Sequence, residues 1–369
     1  MIPSDQTEDI EAIKRIGLKP PVELCVMITT GCNLQCRHCW PQADSIQAAV
    51  SIIPGDFHTL VDNFVRLGVR TIYITGGEPL THPDCYEMLA YAATRDEVDH
   101  VCLQTNGTQL TTEQIAGIKG LPGEKIRFQV SMEGARAETH DAIRGKGSFE
   151  QTVAGLRRLG EMGLGHNITA AFTETQSTIE DLPDLLALVE SLGVGQLVSG
   201  CLVIGGRALH HSDLTLPRPD QYVTLLDLYH QDTRFKDRYD RLGNFAAIEW
   251  FKGKAYPLDN DCRCMRTPYI TPSGTLYPCS MLPLERWRID GLFKRPFSDV
   301  IAELLDRWQN IPGIYRQRRN VPVACQSCSG SEHCGGGCLG RVTDVEGGCE
   351  GVEDRCELRQ AVYSWKVKR

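Results

Sequence analysis

The sequence predicts an α/β protein in which six strand–helix units in series close part of a barrel, ahead of a loop-rich, cysteine-rich region. Three observations predict it. From about Val22 to Val203 short β-branched runs alternate with amphipathic stretches, a pattern that implies parallel strands joined by right-handed crossovers. After about Pro217 the alternation gives way to Gly, Pro and polar residues, and nine of the sixteen cysteines lie beyond that point. The composition, 41% hydrophobic and 23% charged over 369 residues, suits one large or two medium domains.

The elements follow in order. The strands are expected at "VELCVMIT", "RTIYIT", "DHVCLQT", "KIRFQVS", "HNITAAF" and "GQLVSGCLVI". Between them "GDFHTLVDNFVRL", "PDCYEMLAYAAT", "TTEQIAGI", "SFEQTVAGLRRLGEM" and "TIEDLPDLLALVESL" repeat apolar residues at three and four, the helical spacing. Six units fall short of a closed eight-fold barrel of the TIM type, so the partial (β/α)6 barrel would keep a lateral opening for a large substrate. A further helix is expected around "PDQYVTLLDLYHQD". The expected division is an N-terminal segment over 1–21, the barrel over 22–235, and a bridging and cysteine-rich region over 236–369. That last region has little periodic apolar sequence, so inorganic cross-links are its expected staples.

Charge and cysteine usage narrow the function. A net charge of -8 argues against nucleic acid as a partner. The basic runs "RWQNIPGIYRQRR" and "KVKR" read as solvated faces. The start, "MIPSDQTEDIEAIKRIG", is polar and acidic, and no apolar run is long enough to span a membrane. A cytoplasmic location is expected. In that reducing setting clustered thiols hold metal or do redox work. Cys25, Cys85, Cys102 and Cys201 stand singly in apolar stretches and read as buried structural thiols.

Cys32, Cys36 and Cys39 follow the first strand as C-x3-C-x2-C. A zinc ion with His38 as fourth ligand is one reading, although His38 adjoins Cys39 and neighbouring side chains diverge. A four-iron cube is larger and tolerates the spacing, and three thiolates would leave one iron open. This triplet after the first strand of a βα series resembles the radical S-adenosylmethionine (SAM) superfamily. "ITGGEPL" at 74–80 is similar to the family's glycine-rich motif, which implies that the backbone of Gly76, Gly77 and Glu78 binds the methionine amino group. "LQTNGT" at 103–108 and "VSMEGARAETHDAIRG" at 130–145 resemble the third and fourth strand ends. They imply Asn106 near the ribose and Ser131, with Arg144, near the carboxylate. Where the family usually has SLDG, this chain has Ser131-Met132-Glu133-Gly134, one methylene longer at the acid. The resemblance implies an [4Fe-4S] cluster that cleaves SAM to a 5'-deoxyadenosyl radical, which takes a hydrogen atom from the substrate.

The tail carries Cys325-x2-Cys328-x5-Cys334-x3-Cys338, with Cys264 and Cys279 before it and Cys356 after. Four of these could hold one zinc. The intervals resemble the SPASM extension of the same superfamily, which implies two auxiliary [4Fe-4S] clusters. Cys325, Cys328, Cys334 and Cys356 would hold the outer one, and Cys264, Cys279 and Cys338, with Cys262, the inner one. Cys262 and Cys264 are one residue apart and in an extended chain would point to opposite faces. Cys349 reads as structural.

SPASM proteins most often act on ribosomally made peptides, so the resemblance implies oxidative modification of a peptide or protein side chain. Formylglycine formation is less favoured, because the sulfatase-maturing members carry an aspartate base where this chain has Ser280. With 31 residues before Cys32, a peptide substrate is expected to dock directly or through a separate leader-peptide-binding protein. The alternatives are a small metabolite, such as a sugar alcohol or a tetrapyrrole side chain, and a zinc-stapled binding module without catalysis. A flavodoxin or ferredoxin is the electron donor the family implies. Glu249, Asp259, Asp261, His210, His211 and Tyr269 flank the expected cavity, and none stands out as a catalytic base.

Overall fold

The computed structural model describes residues 4–118, 120–253, 265–318, 323–328, 330, 334, 336–342 and 351–367. Six parallel strands form the framework: β1 (Glu23–Met27), β2 (Thr71–Thr75), β3 (His100–Thr105), β4 (Ile126–Ser131), β5 (Ile168–Glu174) and β6 (Gln196–Cys201). They lie side by side in chain order. A two-residue strand, β7 (Gly243–Asn244), extends the sheet parallel to β6. At the other edge β8 (Tyr269–Ile270) pairs parallel to β1, and β9 (Leu276–Tyr277) turns back antiparallel on β8. The tail therefore joins the barrel through the sheet itself.

The helices between the strands are α2 (Pro54–Arg66), α3 (Cys85–Ala93), α4 (Thr112–Ile118), α5 (Ala137–Arg144), α6 (Ser148–Glu161) and α7 (Leu182–Ser191), preceded by α1 (Ser4–Arg15). Period-two burial on β2, β4 and β5 shows why the sheet closes as it does. Ile72, Ile74, Ile126, Phe128 and Val130 are fully buried on its outer face. They join one core with Phe57 and Phe64 of α2, Leu156 of α6 and Leu186 of α7. The inner face carries Thr75, Gln104, Gln129 and Ser131, all half-buried. A closed barrel would be packed with branched apolar side chains, whereas this interior is polar and hollow.

The predicted strands and crossover helices appear where the patterns place them, and the structure adds elements. Helix α5 is short and charged, with no long apolar stripe to announce it among the predicted helices. The tail is richer in helix than expected. Beyond α8 (Pro219–Gln231), α9 (Thr233–Leu242) and α10 (Ala246–Phe251) it contains α11 (Phe297–Trp308), α12 (Ile311–Gln317), α13 (Val323–Gln326) and α14 (Cys356–Val367). Helix α11 buries Val300, Ile301, Leu304 and Trp308 on one stripe, and Trp308 Nε1 donates to the Trp287 carbonyl at 2.8 Å. The tail thus has apolar periodicity of its own, which corrects the expectation of a region held by cross-links alone. Cys85, Cys102 and Cys201 are buried and Cys25 is half-buried. Burial pushes the thiols of Cys25, Cys102 and Cys201 up to about 12, so they stay protonated. Among the described residues no helix is long and apolar enough to cross a membrane.

Leu186 is fully buried between the sheet and its helix layer. Leu186→Ala is expected to cost about 2–5 kcal/mol through lost burial and the cavity left behind. Urea unfolding would show this as a lower midpoint with an unchanged slope.

Candidate active site

The loop after β1 is pinned at several points by backbone. Cys32 N donates to Asp44 O and Asp44 N to Thr30 O, both at 2.9 Å, while Gly77 N donates to Thr29 O and Glu78 N to Gly31 O, both at 2.8 Å. The last pair needs glycine. A Cβ on Gly77 would lie 2.3 Å from the Gly31 carbonyl oxygen, and one on Gly76 would lie 2.7 Å from Thr29 O. The segment after β6 clamps the loop from the far side. Arg207 Nε and Nη1 donate to Cys36 O at 3.0 Å and Ala43 O at 2.8 Å, and Arg207 N donates to Cys39 O at 3.0 Å. Gly206 at φ +54 passes so close that a Cβ would meet Trp40 O at 2.2 Å.

Held in this way, Cys32, Cys36 and Cys39 line one cavity of about 480 Å³ at the C-terminal ends of the strands. Gly76, Gly77, Asn106, Ser131 and Arg144 line it as well. Glu78 does not. Its carboxylate is wholly buried behind the wall, where it accepts from Thr105 Oγ1 and Asn106 N at 2.7 Å and Leu80 N at 3.2 Å. It ties the end of β2 to the end of β3. Burial raises its pKa against those hydrogen bonds. Asn106 Nδ2 reaches Asn33 Oδ1 at 2.9 Å and lies 4.0 Å from Cys32 Sγ.

The strongest electrostatic feature is one that sequence reasoning missed. Glu133, 1% exposed, accepts from Arg144 Nη2 at 2.6 Å and Nε at 3.0 Å, and from Thr173 N at 2.8 Å, and its Oε1 lies 3.0 Å from His38 Nε2. Burial works against its ionisation, but the Arg144 guanidinium and His38 overcome it and hold the carboxyl well below its usual range. Arg144 in turn places Nη1 3.8 Å from Cys36 Sγ. His38, the residue before Cys39, is thereby turned onto Glu133 and also lines the cavity. The extra methylene of Glu133 and the "GGR" after β6 were the available signals. Neither has meaning until the fold brings positions 38, 133, 144 and 207 together.

The donors fit an iron–sulfur cluster. Burial pushes Cys32 up to about 11, partly offset by the Leu34 N–H, and raises Cys36 against the pull of Arg144. Thiols of this kind lose their protons to a bound metal cation rather than to neutral water. Among the described residues no three His, Cys, Asp or Glu side chains gather about a single ion-sized point.

In the tail, Cys325, Cys328, Cys334 and Cys356 line one pocket with Glu353, Arg359 and Tyr363. Cys338 lies outside that lining, its N–H donating to Glu353 Oε2 at 2.8 Å. Cys279 sits near Cys25, at the seam with the barrel. Cys262, Cys264 and Cys349, with Asp259 and Asp261, lie outside the described residues. Of the other flanking candidates, Glu249 accepts from Tyr239 OH at 2.8 Å, His211 Nδ1 accepts from Arg37 Nε at 3.4 Å, Tyr269 OH donates to Met27 Sδ at 3.1 Å, and His210 is exposed. None of these four lines the thiol cavity.

Gly77→Ala is expected to cost about 1–3 kcal/mol by overpacking backbone against backbone, and to lower iron uptake at the triplet; denaturant unfolding and iron analysis after anaerobic reconstitution check it. A pH dependence follows from Glu353, 2% exposed and pulled down to about 2 by Arg355 and Arg359 against the opposing effect of burial. A carboxyl held below its ordinary 4.5 stabilises the fold fully above that value and loses its contribution as pH falls through the folded one. The stability difference between the wild type and Glu353→Gln is therefore expected to shrink as pH drops from about 4.5 to about 2, and chemical unfolding across that range measures it.

Comparison with known proteins agrees with this architecture. Residues 26–186 match the family model described as the radical SAM superfamily. The chain is 27% identical over 357 residues to the AdoMet-dependent heme synthase of Nitratidesulfovibrio vulgaris, covering 90% of this chain and 91% of that protein. It is 28% identical over 336 residues to the mycofactocin maturase MftC of Mycobacterium ulcerans, covering 88% and 84%. Its fold is similar to that of anSMEcpe with bound AdoMet and the Cp18Cys peptide, with a TM-score of 0.72 at 19% identity over 95% and 98% of the two chains. It is also similar to SuiB of Streptococcus suis bound to S-adenosylmethionine, with a TM-score of 0.65 at 16% identity over 94% and 80%. Residues 26–186 are thus a radical SAM superfamily region, in an enzyme similar along nine-tenths of its length to mycofactocin maturases and AdoMet-dependent heme synthases.

Proposed function

We propose that this enzyme oxidatively modifies a residue of a ribosomally made peptide or protein. The observation that carries the reading is the convergence of Cys32, Cys36 and Cys39 with Gly76, Gly77, Ser131 and Arg144 on one cavity at the barrel mouth. A reduced [4Fe-4S] cluster and SAM, when bound there, supply the hydrogen-abstracting radical. The residues bind and orient. The three cysteines would hold the cluster, and the Arg144 guanidinium, aimed by Glu133, would meet the carboxylate of SAM with Ser131. Asn106 would bind the ribose. Because the N–H groups of Gly77 and Glu78 are already bonded to Thr29 O and Gly31 O, the glycine-rich turn offers the cavity its carbonyl oxygens. Carbonyls are the acceptors an ammonium group requires, and Glu78 supports the turn from behind.

Two auxiliary [4Fe-4S] clusters belong to the same reading, the outer on Cys325, Cys328, Cys334 and Cys356, and the inner on Cys279 and Cys338 with Cys262 and Cys264. Support comes from the four outer thiols sharing one pocket. The division into a segment over 1–21, a barrel over 22–235 and a tail over 236–369, a flavodoxin or ferredoxin donor, and docking through a leader-peptide-binding protein are part of the proposal. The second reading, a tetrapyrrole side chain as substrate, is favoured by the likeness to AdoMet-dependent heme synthase across nine-tenths of both chains.

Anaerobically reconstituted protein is expected to contain about twelve irons and twelve sulfides per chain, and Cys32→Ala/Cys36→Ala/Cys39→Ala to lose about four of each. With dithionite and SAM the wild type is expected to release 5'-deoxyadenosine and the triple variant none. Adding synthetic peptides drawn from any short reading frame adjacent to the gene, or an iron porphyrin bearing propionates, and following substrate mass separates the two readings. A mass change in the porphyrin alone would overturn the peptide reading.

A further inference from the structure

The barrel interior continues beneath the thiol cavity. A second cavity, of about 360 Å³, shares Trp40, Thr75, Gln104 and Gln129 with the first and runs down to Glu23, Cys25 and Tyr73. Its side wall is the seam where the tail strand β8 joins β1, with Glu23 N donating to Arg266 O and Cys25 N to Pro268 O, both at 3.0 Å. Among the described residues Glu23 is the one charged side chain in this lining. Its carboxylate accepts from Thr267 Oγ1 at 2.6 Å, and among the described residues it has no cationic partner.

Arg127 does not neutralise it. That residue lies level with Cys25, one inward-facing position along β1 from Glu23, through the register Cys25↔Tyr73↔Cys102↔Arg127. Its guanidinium donates elsewhere, to Glu124 O at 2.8 Å, Ile126 O at 3.2 Å and Asn167 Oδ1 at 3.0 Å. Above Glu23, Gln104 Nε2 donates to Gln129 Oε1 at 3.1 Å, which leaves Gln104 Oε1 as an acceptor. A half-buried carboxylate facing a cavity without a counter-ion favours a cation there, more strongly than it would in open water. At the other end of the same space stand the guanidinium groups of Arg144 and Arg207, so the cavity is polarised along its length.

We propose that Glu23 is a specificity-determining residue that binds a cationic group of the substrate, the ammonium of a lysine or N-terminus or the guanidinium of an arginine, in a peptide whose reacting residue lies at the thiol end of the same cavity. This rests on the peptide reading and narrows it. A porphyrin bearing propionates would bring like charge against Glu23.

The test is calorimetric titration of the reconstituted holoenzyme, without reductant, using n-butylammonium, n-butylguanidinium, 1-pentanol and butyrate as probes. The two cations are expected to bind about tenfold more tightly than 1-pentanol or butyrate, the scale of one charge-assisted hydrogen bond. Glu23→Gln keeps the acceptor for Thr267 and is expected to abolish the preference. Glu23→Asp should retain it and Glu23→Lys should turn it toward butyrate, with thermal melts confirming that each variant is folded. No preference in the wild type, or an undiminished one in Glu23→Gln, overturns the proposal. The two readings fail separately. A Glu23-dependent preference without turnover of the peptide counts against the peptide reading alone, and peptide turnover without the preference counts against this subsite alone.

Discussion

The site depends on one close approach of main chain to main chain, where the turn after β2 lies against the loop after β1. Two hydrogen bonds of 2.8 Å, from Gly77 N and Glu78 N, join strand ends that are neighbours in the sheet. Only residues without a Cβ fit at 76 and 77. The glycines are therefore as much a requirement of the thiol loop as of any ligand. The β1–β2 register places that loop over the barrel mouth, and the clamp of Gly206 and Arg207 closes it from β6.

Buried charge does the finer positioning. Glu133 is shared between Arg144 and His38 and reaches Thr173 N at the end of β5, so a single carboxylate sets two side chains of the cavity wall relative to the sheet. A lone carboxylate at this depth would be costly, and its partners offset that cost. The tail repeats the device. Glu353 is bound by Arg355, Arg359 and Cys338 N beside the four-thiol pocket. In the tail the acid holds cysteine-bearing backbone directly, through Cys338 N, and at the barrel mouth the acid and its arginine reach the thiol loop through the His38 ring and the Cys36 sulfur.

Much of the barrel was legible in the sequence because its strands announce themselves locally. "RTIYIT" and "KIRFQVS" alternate at period two, and the helices between them repeat at three and four. The triplet and "ITGGEPL" were legible because each is a short contiguous motif at a strand end. Other features depend on distance. Arg207 reaches Cys36 across 171 positions, and nothing local to either residue signals the pairing. β7, β8 and β9 have two residues each, too few for any periodicity. Glu78 shows the opposite limit, since its motif identifies the right turn while the side chain itself faces away from the cavity.

Helix α14 begins at Cys356, on the outer thiol pocket, and packs Trp365 against His230 of α8 and Phe251 of α10. Trp365 Nε1 also donates to Asp227 at 3.1 Å. The end of the chain is thus a strut from the cysteine-rich tail to the barrel's outer layer. Excising the tail would strip aromatic cover from the barrel and leave a sticky apolar scar on its flank. The two halves are consequently not modules to be cut apart and exchanged.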